Sequence, residues 1–334
     1  MCYNVWVFSK KGDSVMKITV IGCGRWGSFI ANYLSGIGHD VFLYGPQDTP
    51  DMQNFLKDRK NSFITLGDGV RLCCDIREAI SHGEVIIISI PSQALRGLMG
   101  ELREAGWQGG RLVLCMKGLE VGTGKRLSTI VDEELGEGTE CAVWIGPGHV
   151  QEFSRGVPNC MVIDSKSEEL KKLLVNEFSS NLIRFYYGKD LIGNEIGAAA
   201  KNVIGIAAGM LDGMGLSTLK GALMSRGTRE IARLIKALGG NELSAYGLCH
   251  LGDYEATVFS KFSHNRSFGE AYIKGESFER LAEGYYTVRA ITALANEYRV
   301  ELPICQTVEN VLYNGADPKE ALTQLFERAL KSEF

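Results

Sequence analysis

Met16-Lys-Ile-Thr-Val-Ile-Gly22-Cys-Gly24-Arg-Trp-Gly27-Ser28 is the stretch on which the fold turns. Ile18, Val20 and Ile21 read as a buried strand, and Ser28 to Ser35 as the helix that follows. The turn between them is Gly22-x-Gly24-x-x-Gly27. Strand, glycine turn and helix are the geometry that holds a dinucleotide pyrophosphate. Gly22 permits the tight turn, Gly24 lets backbone approach the phosphates, and Gly27 lets the helix pack near the strand. The diphosphate then meets free N–H groups and the positive end of the helix dipole. Alone the motif is weak, and a plain glycine turn is the alternative. The flanking strand and helix carry the dinucleotide reading. Cys23 inside the turn reads as a small residue filling tight space, with a redox-sensitive thiol as the other option.

Outward from this turn the pattern repeats. Gly38 to Tyr44 is a second strand. At its end an acid favours NAD and an arginine NADP, by their contact with the adenosine ribose. The end here reads Tyr44-Gly45-Pro46-Gln47, with no charge before Asp48. Val85 to Ile90 is a β-branched run suited to a fully buried parallel strand, closed by Pro91 ahead of a helix. Leu112 to Met116 ends in Lys117-Gly118, and Cys141 to Ile145 ends in Gly146-Pro147-Gly148. Ligands in open α/β sheets bind at the carboxyl ends of strands, so these ends are expected to share one crevice. Taken singly, each could be an ordinary strand-to-helix loop.

Near residue 190 the pattern changes. Gly193 to Asp212 is a helix dense in Gly and Ala, whose glycines imply close packing against a neighbour. Lys201 and Asn202 stand inside that apolar run. A lysine there either snorkels to water or is held in a site. Further helices are expected over Leu219 to Leu238, Phe278 to Tyr298 and Asp317 to Lys331. Between them, Ser260 to Gly269 bunches Ser263, His264, Asn265 and Arg266 ahead of a helix. That composition suits a phosphate, with a solvated loop as the plain alternative. The expected organisation is an N-terminal extension (1–15), a Rossmann-type dinucleotide-binding domain (16–190) and an all-helical substrate domain (191–334). The fold class is α/β, with a ligand cleft expected between the domains.

Bulk properties narrow the classes. The chain has 334 residues, enough for two domains, with 45% hydrophobic and 23% charged residues. A net charge of -4 gives no basic footprint for nucleic acid. No apolar run reaches the ~18 residues of a membrane span, so no stable membrane insertion is expected. The nine cysteines show no CxxC pair and no zinc spacing, so no metal site is expected. A reducing cytoplasm is the simple location. Residues 1–15 lack the make-up of a signal peptide and read as an appendage, with Met16 as one candidate for the natural start.

From Met16 onward the chain resembles bacterial NAD(P)-dependent glycerol-3-phosphate dehydrogenase. The resemblance is carried in order by Gly22-Cys-Gly-Arg-Trp-Gly27, Lys117-Gly118, Gly146-Pro147, Asn194-Glu195 through Lys201-Asn202-Val203-Ile204, and Ala222-Leu-Met-Ser-Arg226-Gly227 to Glu230-Ile-Ala-Arg233. Gly252-Asp253, Ser263-His264-Asn265-Arg266 and Glu283-Gly284 complete it. It implies interconversion of dihydroxyacetone phosphate and sn-glycerol 3-phosphate, in bacteria chiefly as reduction for phospholipid biosynthesis. It implies Lys201 as general acid/base. The implied substrate-binding residues are Lys117, Gly146, Gly148, Lys201, Asp253, Ser263, His264 and Asn265. The implied cofactor contacts are Gly22, Gly24, Arg25, Trp26, Gly27, Pro46, Lys117, Val150, His264, Leu281 and Glu283.

The chain departs from the family pattern in places. His264 stands where the family has arginine, and Pro46 where it often has a basic residue. Gly148-His149-Val150 replaces a small hydroxyl residue and alanine, and the loop Gly215 to Lys220 is one residue short. Losing both cations tilts the expected cofactor from NADP towards NAD. A homodimer is expected, which the Gly/Ala-rich helices permit. Two other readings remain: a related dehydrogenase of another small hydroxy acid or polyol phosphate, and a non-catalytic dinucleotide-binding protein. Lys201, Asn202 and Asp253 together weigh against the last, because a sensor needs no proton donor.

Overall fold

The structure, a computed structural model, describes residue 12 and residues 14–329. The expected extension, 1–15, lies outside the described residues apart from Gly12, Ser14 and Val15. The chain forms two compact units. One takes the chain up to Met116 together with Leu127–Leu191, and the other takes Lys117–Arg126 and everything from Ile192.

The first unit is built on eight strands: β1 (Lys17–Ile21), β2 (Asp40–Tyr44), β3 (Val70–Cys73), β4 (Val85–Ile88), β5 (Gly110–Leu114), β6 (Thr139–Ile145), β7 (Asn159–Ser165) and β8 (Ile183–Tyr187). Their order in the sheet is β3-β2-β1-β4-β5-β6-β7-β8. Strands β1 to β6 run parallel, β7 is antiparallel to β6, and β8 is parallel to β7. Every residue of β4 is fully buried, as a run of Val-Ile-Ile-Ile flanked on both sides by parallel neighbours should be. Each such side chain contributes about 1.5–3 kcal/mol on burial. Helices α1 (Arg25–Gly36), α2 (Pro50–Asp58), α3 (Ile76–His82), α4 (Leu95–Glu104), α5 (Leu127–Leu135), α6 (Val150–Phe153) and α7 (Glu168–Phe178) accompany the sheet. In α1, Phe29, Ile30, Tyr33 and Leu34 recur at helical spacing and join the main core with Trp144 and Phe178. The sequence reading did not foresee β3, β7 and β8. Both edge strands, β3 and β8, bury only two residues each, which leaves little apolar signal.

Among the described residues the second unit is helical, with one isolated bridge between Leu119 and Arg126. Its helices are α8 (Leu191–Gly213), α9 (Lys220–Ala237), α10 (His264–Lys274), α11 (Glu283–Glu297), α12 (Pro303–Tyr313) and α13 (Pro318–Phe326). α11 starts at Glu283 rather than Phe278. Gly275 ends α10 in the left-handed region, and Phe278 packs its ring on Phe268 instead of joining a helix. α12 was not foreseen. Its N-terminus is held by a remote acid: Ile304 and Cys305 donate their N–H groups to Glu230, both at 3.0 Å. Burial pushes the Glu230 carboxyl up to about 7.

The glycines of α8 are sites of close approach. A Cβ at Gly209 would lie 1.9 Å from the carbonyl oxygen of Arg266, and from the facing helix α10 one at Gly269 would lie 2.2 Å from that of Ile206 in α8. Only backbone movement relieves such contacts. Gly209→Ala therefore loses stability, although alanine favours a helix over glycine by about 1 kcal/mol. Overpacking costs about 1–3 kcal/mol, and more where backbone must yield. We expect a net loss on the order of 2 kcal/mol, read as a lower urea midpoint. Gly221→Ala in α9, where a Cβ meets nothing within 4 Å, leaves the midpoint unchanged or raises it.

Candidate active site

In the first unit the glycine turn has the stereochemistry that its sequence implied. Gly22 has φ +113°, and a Cβ there would lie 2.2 Å from the carbonyl oxygen of Ser89 at the end of β4. A Cβ at Gly27 would lie 1.9 Å from the Gly22 carbonyl oxygen, so α1 packs directly on the turn. Gly24 is the N-cap of α1, and a Cβ there would meet open space. No side chain among the described residues caps α1. The first and third glycines are thus demanded by the fold, whereas nothing among the described residues demands Gly24. Open space before an uncapped helix N-terminus fits a dinucleotide pyrophosphate. The Arg25 guanidinium lies 5.8 Å from the centroid of the Phe63 ring, and Trp26 stacks on Phe29 at 5.3 Å.

At the end of β2, Pro46 is exposed and its carbonyl accepts from the Thr49 N–H at 3.1 Å. At the end of β6, Gly146 and Gly148 take φ +130° and +149°, conformations that favour glycine. A Cβ at Gly148 would lie 2.3 Å from the Phe153 ring. The Val150 side chain is buried in the core.

The second unit gathers the polar residues singled out in sequence. Lys201, in the middle of α8, is 7% exposed, and Asp253 is 1% exposed. Lys201 does not snorkel. Its Nζ lies 2.5 Å from Asp253 Oδ2 and donates to Thr257 Oγ1 at 2.8 Å. Lys117 Nζ donates to the same Asp253 oxygen at 2.8 Å. One carboxylate oxygen therefore bridges two ammonium groups, while Asp253 Oδ1 is buried without a hydrogen-bond partner among the described residues. Burial pushes the Lys201 ammonium down to about 7, Asp253 raises it, and Lys117 lowers it. Asp253 and Thr257 are supplied by consecutive tight turns, a 3₁₀ turn over Leu251–Asp253 and a π-helical turn over Glu255–Phe259. Such π turns concentrate at functional sites.

An amide relay extends this cluster. Asn202 Nδ2 donates to the Lys117 carbonyl at 2.8 Å, and Asn265 Nδ2 donates to Asn202 Oδ1 at 3.0 Å. Asn265 Oδ1 accepts from the Gly284 N–H at 2.9 Å. Ser263 is the N-cap of α10, its Oγ accepting from the Arg266 N–H at 3.3 Å. The segment expected to precede a helix thus forms its first turn. His264 Nδ1 lies 3.1 Å from the Leu281 carbonyl, which can only accept, so Nδ1 carries a proton. Glu283 opens α11. Arg266, the cation of that stretch, pairs with Asp212 and Glu270 at 2.8 Å each and so holds the fold.

Lys117, Lys201, Asp253 and Asn265 are therefore joined in one network, with Ser263 and His264 beside Asn265. Two residues of this region escaped the sequence reading. Thr257 sits in a mostly apolar turn with no local signal. His250 is buried, bonded to the Gly197 carbonyl at 2.8 Å and to the Tyr254 hydroxyl at 2.7 Å, and burial lowers its pKa to about 4. It is a neutral structural imidazole beneath α8.

The order β3-β2-β1-β4-β5-β6 with a glycine turn after β1 defines a dinucleotide-binding unit, and a buried lysine–carboxylate pair suits proton transfer in the chemistry such cofactors serve. The models of NAD-dependent glycerol-3-phosphate dehydrogenase match this chain twice, the N-terminal one over residues 17–171 and the C-terminal one over residues 190–323. The chain belongs to that family. A glycerol-3-phosphate dehydrogenase [NAD(P)+] from Prosthecochloris aestuarii is 35% identical over 96% of this chain and 100% of its own length. That of Thermoanaerobacter sp. is 32% identical over 96% and 99%. The crystal structure of glycerol-3-phosphate dehydrogenase from Coxiella burnetii superposes with a TM-score of 0.87 at 28% identity, covering 94% of this chain and 99% of that one.

Proposed function

We propose that this protein is an NAD(P)-dependent glycerol-3-phosphate dehydrogenase that reduces dihydroxyacetone phosphate to sn-glycerol 3-phosphate. The observation that carries the proton-transfer assignment is Lys201, buried between Asp253 and Thr257. When bound, the nicotinamide supplies the hydride received at substrate C2. The carbonyl oxygen then gains negative charge and takes a proton from the Lys201 ammonium. Lys201 is left neutral, a state its burial favours near neutral pH, and regains its proton from solvent. Asp253 keeps the ammonium oriented and tempers the fall in its pKa. Lys117, held by the same carboxylate, offers a second cation to the substrate. Ser263, His264 and Asn265 contribute the polar first turn of α10 as phosphate ligands.

We assign NAD as the preferred cofactor, because Tyr44-Gly45-Pro46-Gln47 sets no cation where a 2′-phosphate would fall. The assay is oxidation of NADH or NADPH by dihydroxyacetone phosphate, followed at the nicotinamide absorbance band. A charge-assisted contact is worth about 1.5–3 kcal/mol, so we expect kcat/KM to favour NADH by roughly tenfold or more. Equal or reversed values overturn the preference. Oxidation of neither cofactor overturns the activity itself and favours another phosphorylated ketone.

The product is a phospholipid backbone precursor, so we place the enzyme at the start of phospholipid synthesis. Among the described residues no helix is long and apolar enough to cross a membrane. The described cysteines are all free thiols, which supports a reducing cytoplasmic location. We carry a homodimer forward for test by sedimentation. It draws no support from the α8 glycines, since Gly205, Gly209 and Gly213 pack within their own unit.

A further inference from the structure

The second unit is hollow on one side. Helices α8, α9, α12 and α13 surround a cavity of about 930 Å³ that shares none of the residues of the Lys201 cluster. Its interior is apolar, with Met210, Met214, Leu223, Ile304 and Val308 among the lining residues. Phe326, at its wall, is 68% exposed, a large ring left facing water. The charged residues that line it are unbalanced: five arginines (Arg226, Arg229, Arg233, Arg299 and Arg328) against Glu230 and Glu301. Arg226, Arg229 and Arg233 fall at i, i+3 and i+7 of α9 and so share one stripe of that helix.

Both acids are already engaged. Glu230 caps α12, and Glu301 pairs with Arg328 at 3.0 Å. Arg233 is committed to the Glu301 carbonyl at 2.8 Å. Among the described residues, Arg229 and Arg299 form no ion pair. The result is an apolar hollow bordered by excess positive charge, in a chain whose net charge is -4.

We propose that this cavity binds a single-chain anionic lipid, a long-chain carboxylate, with its hydrocarbon in the hollow and its head on Arg229 and Arg299. Ligand pockets span about 300–1,000 Å³, and this one can enclose a long chain. The excess arginines select an anionic head. A second copy of the chain suits the same surface poorly. Two-fold self-association would set this arginine-rich face near its own counterpart, like charge against like.

The test uses the full chain and oleate below its aggregation concentration, with binding followed by isothermal titration calorimetry. We expect saturable binding at one site per chain. Oleyl alcohol, lacking the charge, and octanoate, lacking the chain, bind at least tenfold more weakly. The double variant R229E/R299E loses affinity for oleate by about tenfold or more. Ala222→Trp, at an exposed α9 position lining the mouth, blocks binding. Thermal unfolding of each variant reports that it is folded, and the double charge variant carries the test if the tryptophan variant is not. The proposal is overturned by the absence of saturable binding, by equal binding of oleyl alcohol, or by unchanged affinity in R229E/R299E. It is also overturned if Ala222→Trp splits an oligomer and leaves oleate binding intact. None of these readouts uses dehydrogenase activity, so the lipid site and the catalytic assignment stand or fall separately.

Discussion

Lys201→Met lowers kcat for dihydroxyacetone phosphate reduction by about 10²–10⁴, the span associated with losing a general acid. Methionine suits the site physically. It is unbranched, of similar length, and tolerated in an apolar interior. Asp253 keeps its partner Lys117 at 2.8 Å, so no unpaired buried carboxylate is created and the fold survives. The cofactor loop at Gly22 to Gly27 belongs to the other unit and is untouched, so NADH affinity, read by fluorescence, stays within about threefold of wild type. Loss of kcat with retained cofactor affinity separates a missing proton donor from a misfolded chain. Lys201→Arg does not restore turnover, because guanidinium keeps its proton across the working range. Turnover of Lys201→Met within tenfold of wild type would remove Lys201 from the acid/base role.

The cofactor half of this protein was legible in sequence because its signals are local. Gly22, Gly24 and Gly27 lie within six residues; Gly22 and Gly27 each answer to one backbone constraint, and Gly24 leaves open space at the start of α1. The β-branched run at Val85 declares a strand without outside help. The edge strands β3 and β8 were not legible, since Val70–Cys73 and Ile183–Tyr187 bury too few residues to give a periodic signal. α12 was missed for a related reason. Its start is fixed by Glu230, more than seventy residues away in sequence, which no local capping pattern announces. In the proton-transfer cluster, Lys201 stood out as a charge inside an apolar helix, yet its fate as buried rather than snorkelling depended on Asp253 and Thr257. Thr257 carries no signal of its own, and only folding brings it to the lysine.

Asp253→Asn moves the pH dependence of the reaction in a direction set by the geometry. In the native protein the Lys201 ammonium titrates near 7: burial lowers its pKa most, Asp253 raises it, and Lys117 lowers it. Reduction needs the ammonium form, so kcat for dihydroxyacetone phosphate is flat below that value and falls as pH rises through it. Oxidation of glycerol 3-phosphate needs the neutral amine and rises over the same interval. Asparagine keeps the shape of Asp253 but removes the carboxylate charge that sustains the proton. Lys201 and Lys117 both approach one carboxylate oxygen, so the two ammoniums are near neighbours. Their repulsion is then roughly 3 kcal/mol at an effective dielectric of about 20. Lys201 relieves it by shedding its proton, at small cost because it already titrates near neutrality, and the variant folds. The falling limb of reduction therefore shifts at least one pH unit lower, since one unit corresponds to about 1.4 kcal/mol. At pH 7 the loss in kcat for reduction is about tenfold to a hundredfold, and it is partly recovered at pH 6. Oxidation shifts the same way and gains relative to reduction at pH 7. A purely structural role for Asp253 would lower kcat equally at every pH. An unmoved limb would show that the titrating group is not the lysine this carboxylate holds.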